Sequence, residues 1–400
     1  MHLRGIDVAV VEASDDVGGR VRTDQVDGFL LDRGFQVLQT AYPEAQRVLD
    51  YAAMDLKPFE PGALVRNGDV WARMSDPWRR PWQAIGTAFS GIVDVSDFWK
   101  LAKLRRGALA GTIDELWSGP ETTTAAFLRE EVGLSRDAYE KFFRPWFAGV
   151  FFEPELATTS RFFKFVFRMF ASGDASLPAT GMCAIPRQLA AALPTDAVRL
   201  NTAVESIDEA GVKLVDGTTL AARAVVLAVD GPAAAELSGG AIPSTAWRST
   251  ACCYFAAPHA PFDDRLLVLN GARSGPINNL CVPSNVARDY APEGQALISV
   301  SVVETDGADA QALTNDVRTQ LRDWYGAEVD RWSHLRTDMI RRALPAQPVG
   351  NPIAGTRNSR LGAGLYVCGD YRESASIHGA LVSGRRAAEA VLADLTSGAT

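Results

Sequence analysis

Two short stretches carry residue types whose spacing could do chemistry. The first is VVEASDDVGGRVRT, in which Glu12 is followed by Gly18, Gly19 and Arg20. Glu12 closes the run DVAVVE at 7–12, whose four consecutive apolar residues suit a strand buried on both faces in a parallel sheet. A carboxylate at the end of the second strand of a dinucleotide-binding unit accepts hydrogen bonds from ribose hydroxyls. Read alone, Glu12 is better explained as a solvated strand end, and the residues that follow it shift the balance. Gly18 and Gly19, without Cβ atoms, would let the backbone approach a diphosphate, and the Arg20 guanidinium could pair with it. A glycine pair by itself is only a turn signal. The second stretch is LYVCGDYRESASIHGALVSGRRAAEAVLADL near the end of the chain. It reads as a strand at 365–368, then Gly369-Asp370, a loop, and a helix from about Gly379 that is rich in small residues. The plain alternative is a strand, turn and helix that bind nothing.

The first stretch resembles the segment after the first βα unit of flavin-containing amine oxidases, phytoene desaturases and protoporphyrinogen oxidases. Glu12 matches the ribose-binding acid of that superfamily, residues 18–20 its diphosphate motif, and Thr23 its terminal hydroxyl. Asp16 stands where the family commonly has arginine. The strand and G-x-G-x-x-G loop expected roughly 20 residues before Glu12 do not appear. On that reading Leu3-Arg4-Gly5 is the tail of a helix, and Met1 is not the natural start or the chain is a remnant of a longer gene. Such a chain is expected to bind FAD poorly and to fold marginally, because strand 7–12 would have an unpaired edge inside the protein.

The resemblance extends along the chain. GDY…HGALVSG is similar to the plant-type phytoene and carotene desaturases. It implies that Asp370, after Gly369, accepts hydrogen bonds from ribityl hydroxyls. It also implies that a helix start near His378, Gly379 and Ala380 aims free N–H groups at the flavin pyrimidine ring. LLDRGFQVL resembles the family stretch that passes close to the flavin, which makes Arg33 and Gly34 cofactor-site candidates. Arg33 could instead pair with a nearby carboxylate. A strand near Val204 is expected to edge the adenine through its backbone, with packing the alternative role for its side chain. Amine oxidases of the superfamily often place a lysine beside flavin N5, between about 240 and 340 here. No lysine follows Lys213. That absence favours a dehydrogenase or desaturase over an amine oxidase.

Composition bounds the remaining options. The 400 residues are 47% hydrophobic and 22% charged, which suits a packed globular protein. A net charge of −8 argues against non-specific nucleic-acid binding. Cys183, Cys252, Cys253, Cys281 and Cys368 include no C-x-x-C, and Cys252-Cys253 reads as part of a strand. They suit a reducing cytoplasm. None lies in a recognised flavin-tethering motif, so the expected FAD is non-covalent. Four scattered histidines offer no metal-ligand spacing.

Residues 75–172 read mostly as helix, interrupted at Pro81, Pro120, Pro145 and Pro154. Within them, 142–170 holds eleven aromatics in 29 residues. Most such rings pack in a core, but the excess could line an apolar cavity leading to the flavin or a membrane-facing mouth. The expected fold is α/β: a doubly wound, Rossmann-like FAD-binding domain from 1–60, 178–240 and 340–400, and a discontinuous α+β substrate domain from 61–177 and 241–339. The expected function is an FAD-dependent oxidoreductase that takes hydride from a small apolar substrate, with no nucleic-acid partner and a peripheral membrane contact as one option. A flavin amine oxidase and an FAD-free, non-catalytic homologue remain open.

Overall fold

The computed structural model describes residues 1–82, 91–208, 211–352, 355–362 and 364–397. Its largest sheet has seven strands, in the order Ser333–Pro345, Trp247–Ala257, Ala296–Val303, Asn279–Cys281, Leu267–Asn270, Gly62–Asn67 and Val70–Ser75. All neighbours are antiparallel except Leu267–Asn270 with Gly62–Asn67. Strand Trp247–Ala257 is buried over most of its length and serves two cores at once. Cys252, Tyr254 and Ala256 face one, while Ala251, Cys253, Phe255 and Ala257 face the other. That division is the period-two alternation of a pleated strand. The amphipathic helix Ala310–Tyr325 covers the second core with Leu313, Val317 and Leu321.

The nucleotide-binding expectation corresponds to two short parallel pairs. Val10–Val11 pairs with Val198–Arg199, and Val225–Leu227 pairs with Leu365–Val367. An antiparallel meander of Val204–Asp208, Gly211–Leu214 and Thr219–Leu220 lies between them in sequence. The run at 7–12 departs from expectation. Only Val10 and Val11 form a strand, and Val10 is 38% exposed rather than buried on both faces. The reason is pairing: this strand has one neighbour among the described residues, so its other edge is open. Ahead of it, His2–Arg4 makes a single 3₁₀ turn, closed by Gly5 at φ 73°.

The aromatic stretch also departs from one of its readings. Helices Arg144–Phe151 and Ser160–Ser172 pack face to face, and Phe143, Phe147, Phe151, Phe162, Phe163, Phe165 and Phe167 are buried. Ring centroids lie 4.6 Å apart for Phe147 and Phe163, and 4.8 Å for Trp146 and Phe147. These rings satisfy one another, which is the lower-energy use of so much apolar area. The segment is therefore core rather than a membrane-facing mouth. Pro145 marks the point where the π-helical turn Ala138–Phe143 passes into helix Arg144–Phe151, so the helical run changes type there without being broken.

Candidate functional site

The first stretch forms a loop pinned at both ends. Glu12 N–H donates to the Arg199 carbonyl at 2.9 Å. Its Oε1 accepts from Ser14 N–H at 2.8 Å and Ser14 Oγ at 2.7 Å, leaving Oε2 without a partner among the described residues. Asp16 pairs with Arg187 at 2.7 Å, on the helix Ala184–Ala191, and so locks the loop to that helix. Gly18 takes φ 112°, and a Cβ there would run into the Val21 carbonyl and Pro186. Gly19 takes φ 58° and faces open space.

Arg20 joins the two stretches across 350 positions of sequence. Its Nη2 meets Asp370 Oδ1 at 2.6 Å, and its Nη1 donates to the Ala343 carbonyl at 2.9 Å. The guanidinium also lies 5.1 Å over the Trp247 ring. Gln36 Nε2 donates to the Arg20 carbonyl at 2.8 Å, which brings 34–36 under the loop. Gly34, at φ 87°, lets that segment approach Ile340, where a Cβ would stand 2.7 Å from Cδ1.

On the carboxyl-terminal side, Gly369 sits at φ 150° and donates its N–H to Ser383 Oγ at 3.0 Å. Asp370 is buried. The His378 ring stacks between Tyr42, at 5.5 Å, and Phe165, at 5.4 Å. Burial holds its pKa down at about 4, so the imidazole is neutral at physiological pH. Nearby Glu44 is tied to Arg385 at 3.0 Å and to Arg47.

Two expectations need correction. Ser376 occupies the start of helix Ile377–Ser397: its Oγ accepts from Gly379 N–H at 3.0 Å and its carbonyl from Ala380 N–H at 3.0 Å. Gly379 and Ala380 therefore do not offer free N–H groups, and among the described residues the N–H groups of that turn without a partner are those of Ile377 and His378. A serine three residues before the glycine is an ordinary capping signal that sequence reading passed over. Arg33 does not join the cluster. It forms a two-point pair with Asp24 at 3.0 and 3.1 Å, in a network continued by Arg336 and Asp338. Val204 lies two residues beyond Thr202, whose N–H donates to the Glu12 carbonyl at 2.8 Å.

The donor and acceptor types around Arg20 and Asp370 fit a flavin dinucleotide. Three buried side-chain atoms there lack hydrogen-bond partners among the described residues: Trp247 Nε1, Tyr371 OH and His378 Nδ1. Trp247 lies under Arg20, and Gly231 packs between Trp247 and Tyr371. Orphaned buried polar atoms are uncommon and call for a partner.

The family model described as flavin containing amine oxidoreductase matches residues 2–392. The chain belongs to the flavin containing amine oxidoreductases. It is a flavin-dependent oxidoreductase, and its α/β architecture agrees with that of solved relatives. An oxidoreductase from Methanosarcina mazei superposes with a TM-score of 0.76 at 15% identity, over 97% of this chain and 95% of that one. A candidate protoporphyrinogen oxidase from Exiguobacterium gives 0.72 at 17% identity, over 96% and 93%. Putrescine oxidase bound to putrescine gives 0.66 at 16% identity, over 98% and 95%. No curated protein sequence matches the chain.

Among the described residues, no group of His, Cys, Asp and Glu could hold a metal ion, and no helix is long and apolar enough to cross a membrane. A small cavity of about 10 Å³ lies between Leu30, Asp32, Phe35, Tyr254, Tyr290 and Ser299. It has room for about one water. No residue of 142–170 lines it.

Proposed function

We propose that this flavin-dependent oxidoreductase binds FAD non-covalently and removes hydride from a small apolar substrate, as a dehydrogenase or desaturase does. The observation that carries the reading is the neutral aromatic stack of Tyr42, His378 and Phe165 at the head of the last helix. An aminium substrate would look for an unpaired carboxylate there, and the acid at hand, Glu44, is already held by two arginines. The missing lysine after Lys213 points the same way.

Bound FAD would supply the two-electron acceptor. Glu12 would hold a ribose hydroxyl through Oε2, and Asp370 a ribityl hydroxyl through Oδ2. Arg20, 37% exposed, would turn toward the diphosphate while its Nη1 stays on the Ala343 carbonyl. The His378 N–H would bond the pyrimidine edge and favour negative charge there. All five cysteines are buried, which supports a non-covalent cofactor.

Two measurements test the proposal. Anaerobic mixing with polyenes and porphyrinogens is expected to bleach the flavin spectrum, while amines such as putrescine leave it unchanged. The reverse pattern defeats the substrate assignment. Arg20→Ala removes a charge-assisted contact worth about 1.5–3 kcal/mol, so FAD affinity should fall by roughly tenfold to a hundredfold. An unaltered Kd would remove Arg20 from the diphosphate site.

A further inference from the structure

Among the described residues, and apart from Leu3 near the chain start, the most exposed large apolar side chains lie outside the aromatic core. Trp82 is 86% exposed, Trp99 77% and Val95 73%. Val95 and Trp99 lie on helix Val95–Leu109, and with Lys103 and Arg106 they follow one stripe at spacings of four, four and three residues. The opposite stripe is buried through Asp97, Leu104 and Ala108. A solvent-facing stripe should be polar throughout, so its apolar first half asks for a partner.

The helix holds this stripe rigidly. Asp94 and Asp97 form a capping box at its start, and Asp97 accepts from Ser135 N–H at 2.8 Å. Arg105 donates to the Ala171 carbonyl at 2.8 Å and lies 5.3 Å over Trp78. Arg79 anchors the same corner by donating to the Gly173 carbonyl at 3.1 Å. Trp82 follows Trp78 by four residues, at most about 14 Å of extended chain. Trp82 therefore lies within about 14 Å of Trp78, which Arg105 overlies on the flank of the helix.

Charge indicates what covers this face. Of the six arginines and lysines in residues 78–106, Arg79, Arg80 and Lys100 pair with Asp174, Glu60 and Asp97, and Arg105 is held by the Ala171 carbonyl, which leaves Lys103 and Arg106. Lys103 and Arg106 are exposed and have no carboxylate within ion-pair distance among the described residues. Tryptophan beside unpaired cations on a rigid helix is the composition of an interfacial membrane contact. The indole rings sit at headgroup depth, and the cations meet anionic lipid.

We infer that the face formed by Trp82, Val95, Trp99, Lys103 and Arg106 docks on an anionic lipid surface. The inference stands on exposure and charge alone and does not depend on the identity of the substrate. The test is vesicle flotation of the full chain with phosphatidylcholine alone and with phosphatidylcholine and phosphatidylglycerol at three to one. The protein should float with the anionic vesicles at low salt, and should be released by high salt. Each cation near an anionic surface contributes roughly a fivefold factor. Lys103→Gln with Arg106→Gln should therefore lower partitioning about thirtyfold. Trp82→Ser with Trp99→Ser should lower it several-fold, with an unchanged far-ultraviolet circular dichroism spectrum for both variants. Failure of the native chain to float with anionic vesicles at low salt overturns the inference, as does flotation that neither pair of substitutions changes. Light scattering that shows dimers of the native chain, dissolved by the tryptophan substitutions, would assign the face to a second copy and overturn it as well.

Discussion

Gly379→Ala is expected to remove most flavin binding and to destabilise the fold by about 3 kcal/mol. The added methyl would overlap the Ser374 carbonyl oxygen and stand 2.8 Å from its carbon. That carbonyl cannot turn aside freely, because it accepts the Ser376 N–H at 2.7 Å. Relief must come from moving the helix start, and Ser376 then loses its bond to the residue 379 N–H. The His378 ring would leave its place between Tyr42 and Phe165, and the open N–H groups of its turn would shift with it. The readouts are FAD titration by fluorescence quenching and a urea unfolding midpoint. Gly384→Ala is the control: its Cβ would meet nothing within 4 Å, five residues further along the same helix. Helix propensity favours alanine at both positions, so a loss confined to Gly379→Ala isolates the collision, and equal loss in both variants would defeat that explanation.

The contrast between these two glycines shows what the sequence conveyed. Both stand in a run of small residues, and only the Ser374 carbonyl separates their roles. The local signals were readable. Glu12, the glycine pair and Gly369-Asp370 have distinctive types and spacing, and the meander around Val204 follows its turn residues. The ion pair between Arg20 and Asp370 joins positions 350 apart, and no local pattern announces it. The family resemblance alone suggested that both act on one ligand. Surface and core were harder to separate. Eleven aromatics in 142–170 suggested an excess beyond one helix face, but two helices and their flanking loops share them. Trp99 looked unremarkable in FWKLAKLRR because the exposed stripe of a helix depends on where its neighbours dock. Asp32 was missed for a similar reason: in FLLDRG an aspartate reads as a strand end, yet it is buried among tyrosines.

Asp32→Asn is expected to stabilise the protein at pH 7.5 by up to roughly 3 kcal/mol, and to flatten its stability profile between pH 4 and 6. Burial is the largest influence on this carboxyl and pushes its pKa from 3.8 up to about 6, even though three donors favour its charged form. Thr23 Oγ1 donates to Oδ1 at 2.5 Å, Met182 N–H to Oδ1 at 3.0 Å, and Tyr290 OH to Oδ2 at 2.8 Å. The folded protein thus binds the Asp32 proton more tightly than the unfolded chain does. Between pH 4 and 6 unfolding releases that proton, so the Asp32 contribution falls as pH rises and stays low above about 6. Asparagine removes the charge and keeps the geometry. Its oxygen retains the Thr23 and Met182 donors, and its amide can donate to Tyr290, whose hydroxyl need only rotate. The general loss of stability in acid, from paired carboxylates such as Asp16 and Asp24, is common to both proteins and cancels in the difference. Unfolding free energies of the two proteins should therefore lie furthest apart at pH 7.5 and converge towards pH 4. Parallel curves would show that Asp32 is ionised at the same pH folded and unfolded. A variant weaker than the native protein at every pH would show that Tyr290 cannot reverse its hydrogen bond.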